Sequence, residues 1–248
     1  MLGSQHLLLS LGSAAVLLSP YATERPFLSV VALSGVALGS LIPDVDAKDA
    51  KVFHRSVTEV GGTSGRLING SLGLLFPIFG YITKYAIYRP SLLIYDLAFR
   101  NYSFEDSHRS FSHSLLGVLT MTALTGAYLY PLLRYFGASY KVHFSTFLLS
   151  YMAGAFLHML QDSSTKTGIA WNYPFSSRKL SGELVTGEDV LKPRLFVIFL
   201  FSSAALLLFT SETRASLPYQ LGLPLVSAAS LAVSWIGFMI AAGAGVEA

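Results

Sequence analysis

The sequence predicts an all-α fold, a polytopic integral membrane helical bundle, on three observations. Hydrophobic residues make up 52% of the 248-residue chain and charged residues only 12%, against about 25% charged in an average soluble domain. Several uncharged apolar runs approach the ~20 residues that a helix needs to cross the hydrocarbon core. The mean hydropathy is +0.55, which excludes an ordinary soluble globule. The chain reads as a single membrane-embedded domain, 1–248, with a motif-bearing core at 1–176. A loop and two C-terminal membrane helices follow at 177–248.

Six segments have the length and composition of helices at membrane depth: 6–19, 27–42, 113–136, 142–160, 194–211 and 218–244. The first two are short, and fit with little tilt or local thinning of the bilayer. No Lys or Arg precedes the run Leu7 to Leu18, as a signal peptide would require, so this run reads as a retained first helix. Gly35, Gly39, Gly117 and Gly154 mark places where helix backbones can approach closely. Residues 66–100 are apolar but interrupted by Pro77, Gly80 and Pro90. Proline removes an amide donor and breaks a helix interior, so this region is expected to be a hairpin on one side of the membrane or a pair of interfacial helices.

The chain has no cysteine, which excludes disulfides, thiolate metal sites and cysteine nucleophiles, and leaves metal binding to His, Asp and Glu. A net charge of +3 gives little reason to propose nucleic-acid binding. Ionisable residues near membrane segments are costly and point to function. Here they gather at segment ends: His6 opens the first helix, and Asp44 and Asp46 follow the second. His108 and His113 lie in His-Arg-Ser-Phe-Ser-His-Ser, and His158 and Asp162 close the fourth segment. If 66–100 returns to the side it left, all seven residues share one membrane face.

Local spacing supports that convergence. His158 and Asp162 are four apart, on one face of a helix, as a two-ligand metal clip requires. In an extended stretch after Pro43, Asp44 and Asp46 would point the same way. Ser112 is placed to cap a helix beginning at His113. Imidazole with carboxylate and no thiolate suits zinc, manganese, iron or magnesium, and the His content favours the transition metals. Each piece has a plainer reading: a packed His6, a solvated turn at Asp44 and Asp46, a hydrogen-bonded pair at His158 and Asp162, a basic interfacial loop at 108–114. Their predicted meeting on one face favours a metal site. His54 and His143 fall outside the cluster, His143 at the opposite end of its helix.

These motifs together resemble the YdjM-like family of membrane-bound metal-dependent hydrolases. The resemblance rests on His6 with Gly12, on Gly39-Ser-Leu-Ile-Pro-Asp-Val-Asp46, and on His108-Arg-Ser-Phe-Ser-His-Ser114. It continues through Gly154-Ala-Phe-Leu-His158-Met-Leu-Gln-Asp162 to Thr167-Gly168 and Trp171-Asn-Tyr-Pro174-Phe175. The family is in turn similar to the zinc-dependent phospholipase C and P1-type nuclease group, which cleaves phosphate esters. The resemblance implies that an Asp of the Pro-Asp-Val-Asp stretch, His113, His158 and Asp162 hold one metal. His6 with a bridging Asp162 would help hold a second, and His108 would be a further ligand or contact phosphate. No His follows His158, which argues against a third ion. Ser110 and Ser112 stand where the family commonly has Gly and Thr.

The function expected on this basis is hydrolysis of a phosphate ester of a membrane lipid by metal-activated water. The cofactor would be a divalent metal, zinc first, with manganese or iron as alternatives and one or two ions. Asp44 or Asp46 would orient the water and Arg109 would contact phosphate or anchor at the interface. Thr165 to Phe175, with Gly168, Trp171, Tyr173 and Pro174, could form a loop over the site. The partners expected are the lipid bilayer and a lipid substrate, with no nucleic acid. A non-catalytic structural or regulatory metal protein is the alternative, and a transporter ranks lower because its ionisable groups would line a midplane pathway. Lys and Arg predominate on the site's side, which marks the cytoplasmic face of an inner-membrane, multi-pass protein.

Overall fold

The computed structural model describes residues 3–47, 50, 53, 75–99, 109–136, 141–213 and 217–246. Among these it is mostly helical, with seven helices and one small sheet. Helix α1 is Gly3–Leu18 and α2 is Pro26–Gly39. Pro26 opens α2 at its first position, where a missing amide hydrogen costs nothing and the ring pre-sets φ. A 3-10 turn, Pro43–Asp46, follows. Helix α3 covers residues 75–98: α-helical over Leu75–Ile82, π-helical over Thr83–Tyr88, and α-helical again over Arg89–Ala98. Then come α4 (Leu115–Tyr135), α5 (Lys141–Asp162), α6 (Leu191–Thr213) and α7 (Leu217–Ala241). Strands β1 (Leu180–Ser181) and β2 (Gly245–Val246) pair antiparallel.

Among the described residues, four stretches are long and apolar enough to cross a membrane: Pro26–Asp46, Leu115–Tyr135, Leu191–Thr210 and Gly222–Ala241. Of the six expected spans, four meet these criteria of length and composition. Of the other two expected segments, α1 is 16 residues long. Helix α5 is 22 residues long but carries Lys141, His143, His158 and Asp162.

The expectation for 66–100 changes where residues are described. No hairpin turn interrupts 75–98, which is helical throughout. Pro77 lies in the first described turn of α3, where proline is tolerated. Pro90 sits just after the π segment, where the Arg89 amide reaches back five residues to the Lys84 carbonyl. That wider turn makes room for a ring that would otherwise clash with the carbonyl four residues earlier.

Two helix pairs set the frame. Helices α2 and α5 cross through glycines: a Cβ on Gly39 would stand 1.9 Å from the Tyr151 carbonyl oxygen, and one on Gly154 2.3 Å from that of Val36. Helix α1 packs on α6 and α7 through Leu9, Val16, Phe196, Leu200, Trp235 and Phe238, and the Trp235 indole donates to Ser13 Oγ at 3.0 Å. Outward residues such as Leu206, Phe209, Val233 and Ile240 are 64–74% exposed, an apolar belt suited to lipid.

Candidate metal centre

The structure brings His6, Asp44, Asp46, Arg109, His113, His158 and Asp162 together at one end of the bundle; His108 and His54 lie outside the described residues. Four elements deliver them. Helix α1 carries His6, the 3-10 turn carries Asp44 and Asp46, the segment ahead of α4 carries Arg109 and His113, and the last turns of α5 carry His158 and Asp162. His143 is elsewhere, edge-on to Phe27 at 5.1 Å. It lies 15 residues before His158, roughly 22 Å along the helix.

Each imidazole is oriented through Nδ1. His158 Nδ1 lies 2.7 Å from the Ser40 carbonyl oxygen, which can only accept, so Nδ1 is protonated and Nε2 is the nitrogen left to face the carboxylates or a metal. His6 Nδ1 lies 2.7 Å from Gln161 Oε1, and Gln161 Nε2 donates to Ser10 Oγ at 2.9 Å, which fixes the amide's sense. His113 Nδ1 lies 3.0 Å from Ser112 Oγ, whose hydroxyl donates to Asp46 Oδ2 at 2.7 Å. That hydroxyl therefore accepts from the imidazole.

The Nε2 atoms then face carboxylates. His158 Nε2 is 3.5 Å from both Asp44 Oδ1 and Asp162 Oδ2. His113 Nε2 is 3.7 Å from Asp44 Oδ1 and 3.3 Å from Asp162 Oδ2. Ligand atoms about 2.0–2.2 Å from a tetrahedrally bound ion stand roughly 3.3–3.6 Å apart. Three of the four nitrogen–oxygen separations fall within that spacing and the fourth, 3.7 Å, lies just outside it, so each imidazole nitrogen is placed to share an ion with a carboxylate oxygen. The His158 Nε2 atom is buried and makes no hydrogen bond, and carboxylates gathered in a buried space call for positive charge, which a metal ion or protonated imidazoles supply. The donor set fits a divalent metal.

The other Asp162 oxygen serves a second group. Oδ1 is 3.4 Å from His6 Nε2 and 3.2 Å from Arg109 Nη2, and the His6 ring stacks on His158 at 3.8 Å. His6, Asp44 and His158 offer ligand atoms within 4.8 Å of one another, as do His113, His158 and Asp162. The imidazole pKa of His113, which precedes the α4 span, is raised. Burial pushes it down, but hydrogen bonding to Asp162 and Asp44 and the charges of Asp46 and Asp162 outweigh that.

Three local expectations are corrected. Asp44 and Asp46 do not point the same way, because Pro43–Asp46 is a 3-10 turn with three residues per revolution rather than a strand. Asp44 faces the Nε2 side of His113 and Asp46 its Nδ1 side, 3.8 Å away. Ser112 does not cap α4. A 3-10 turn, Phe111–His113, intervenes, and Ser114 Oγ accepts from the Gly117 amide at 3.0 Å. Of the loop after Asp162, Trp171 does not cover the site: it packs with Val118, Ala155, Met159 and Ile169, and its indole donates to Ser163.

Sequence reading missed Ser40, Gln161 and Ser10, and the roles that Ser112 and Thr165 take at the centre. Thr165 Oγ1 accepts from Arg109 Nη1 at 3.3 Å and donates to the Asp162 carbonyl at 2.7 Å. Arg109 has φ 69°, a left-handed conformation that costs an L residue roughly 1–2 kcal/mol and that is held here by its amide on Asp46 Oδ2 and its guanidinium on Asp162. Gln161 beside a motif Asp was the one available signal, a polar residue facing an apolar bundle.

The family model of the YdjM inner membrane protein matches residues 1–242. The chain belongs to the YdjM inner membrane protein family. That match covers all four elements of the centre and both C-terminal spans, and it establishes a membrane protein embedded in a bilayer. No curated protein and no solved structure matches the chain. The YdjM family description names a membrane location and no chemistry, so the reading of the centre rests on its geometry.

Proposed function

We propose that this YdjM-family protein is a membrane-bound metal-dependent hydrolase that cleaves phosphate esters of membrane lipids. The observation that supports it is the convergence of His113 Nε2, His158 Nε2, Asp44 Oδ1 and Asp162 Oδ2, at separations of 3.3–3.7 Å, at the end of membrane helices. A divalent ion, zinc before manganese or iron, supplies Lewis acidity and lets water ionise near neutral pH. His113, His158, Asp44 and Asp162 would hold it, and His6 with the second oxygen of Asp162 provides part of a place for another. Asp44, 19% exposed, is the ligand at the open edge, and its free oxygen is the group to orient an attacking water. Asp46 steadies His113 through Ser112. Arg109, 13% exposed, holds Asp162 and keeps a planar donor fork beside the site for a phosphate oxygen.

A non-catalytic structural or regulatory metal protein is the second reading. It is favoured by the same convergence, since four protein ligands on one ion would close a site whereas catalytic ones keep a position open. The test is to give the purified protein zinc or manganese and to compare release of water-soluble phosphate products from phospholipid micelles with cleavage of single-stranded DNA and RNA. Lipid turnover that is lost in Asp44→Asn and His113→Ala is the expected result. Nuclease activity of equal or greater efficiency would overturn the lipid reading, and stoichiometric metal with no turnover of any substrate would favour the structural one.

A further inference from the structure

Helix α3 has two unlike faces. Thr83, Ile87, Tyr88, Ser91 and Tyr95 are buried, whereas Ile78, Tyr81, Ile82, Tyr85, Leu93 and Leu97 are 50–60% exposed. Amphipathic patterning of this kind, with tyrosines on the apolar face, belongs to helices that lie in the membrane interface. The charges agree: Lys84 Nζ lies over the Phe53 ring at 5.1 Å, Arg89 over the Tyr85 ring at 5.6 Å, and Asp96 is exposed. Helix α3 is not among the four helices apolar enough to cross.

The contacts of α3 fix its course. Near its start, Phe79 packs with Leu41 and Ala50 and Tyr81 meets Phe53 at 5.4 Å; these partners flank the turn that carries Asp44. In its middle and second half, Tyr88 and Tyr95 both meet Phe111, at 6.3 and 4.5 Å, two residues before His113. Just past its end, Phe99 meets Phe175 at 5.7 Å, in the loop after Asp162. A helix of 24 residues is roughly 35 Å long, enough to reach the opposite end of the bundle, yet every one of these contacts lies at the metal-centre end.

We infer that α3 lies flat in the membrane interface on the metal-centre side, its exposed stripe sunk among the lipids of its own bilayer, and that it holds the centre at the depth of the lipid phosphates. The placement follows from the contacts alone; only its meaning for a lipid substrate rests on the proposed function. Lipid is the occupant of the stripe because the helices packed beneath α3 include spans already in the bilayer: Tyr95 packs in one cluster with Leu116 and Met121 of α4, next to lipid-facing Leu119, 47% exposed.

The chain contains no cysteine, so single introduced thiols report unambiguously. The full-length protein carrying Ile78→Cys, Tyr85→Cys, Leu93→Cys or Leu97→Cys is spin-labelled and reconstituted in phosphatidylethanolamine and phosphatidylglycerol vesicles. Depth is read from the balance of oxygen and nickel-chelate collisions, with Leu119→Cys and Ile198→Cys as references on spans. The expected result is one shallow depth, just below the phosphates, for all four α3 labels. A depth that runs through the bilayer centre along 78–97, four labels as water-accessible as one at Ser177, or labels immobilised and coupled between two copies would each overturn the inference. Repeating the series on His158→Ala separates the two claims: loss of metal or activity with an unchanged depth profile touches only the proposed function.

Discussion

An imidazole that gives its Nδ1 proton to a fixed oxygen has one lone pair left, on Nε2, and little freedom to turn it away. His158, His6 and His113 are held this way by three different acceptors, a carbonyl, an amide and a hydroxyl. The donors beneath the ligands therefore matter as well as the ligands. His158→Ala and Asp162→Asn should each abolish tight metal binding while membrane insertion, driven by the apolar spans, stays intact. Stoichiometric metal in both purified variants would rule out the clip. Ser112→Ala and Gln161→Leu remove only orienting groups and should weaken metal affinity about 10–100-fold, as read by competition with a chromophoric chelator. Unchanged affinity in both would show that the backbone alone positions His113 and His6.

Between elements, the decisive contact is the crossing of α2 and α5. Ser40, whose carbonyl orients His158, follows directly on Gly39, and Gly39 lies against the Tyr151 carbonyl with no space for a side chain. Gly39→Ala should push α2 away from α5 and lower stability by about 1–3 kcal/mol or more. Because the turn that follows α2 carries Asp44 and α5 carries His158, metal affinity should fall with it. Thermal unfolding in detergent, with and without zinc, measures both; a variant with wild-type Tm and affinity would show that the crossing yields without cost. The sequence marked Gly35, Gly39 and Gly154 as close-approach residues, and packing alone explains them. It did not show that α3 runs unbroken across 75–98, because a π segment that absorbs Pro90 depends on which groups surround it.

For the whole molecule, sidedness follows from charge. Among the described residues, Arg109, Lys166, Arg178, Lys179, Lys192 and Arg194 fall on the side of the metal centre, against Arg25, Arg134 and Lys141 on the other; the sequence reading assigns Lys48, Lys51, Arg55, Arg66 and Arg100 to the first group and Arg214 to the second, and these lie outside the described residues. Excess Lys and Arg marks the cytoplasmic face, so the centre and both termini are expected to face the cytoplasm. Ser177 is exposed in the loop after Asp162, whereas Ser181 is buried in β1, so Ser177→Cys is the informative probe. It should resist an impermeant thiol reagent in intact cells and react once the membrane is opened. Labelling from outside would reverse the orientation.

The sequence by itself determined that the chain is helical and membrane-bound, since apolar run length and low charge suffice for that. It also determined which residue types meet: ionisable groups at segment ends, two of them four apart on α5, left few other partners. Only the tertiary structure decided how they meet. Asp44 and Asp46 divide between the two nitrogens of His113 because a 3-10 turn rotates them apart. Asp162 faces His113 and His158 with one oxygen, and His6 and Arg109 with the other. Gln161, Ser112, Ser40 and Thr165 become supports only once α1, α2 and α5 have packed. Hydropathy and spacing are properties of one segment, whereas a hydrogen-bond acceptor 118 or 155 residues away exists only after the helices have chosen their crossings.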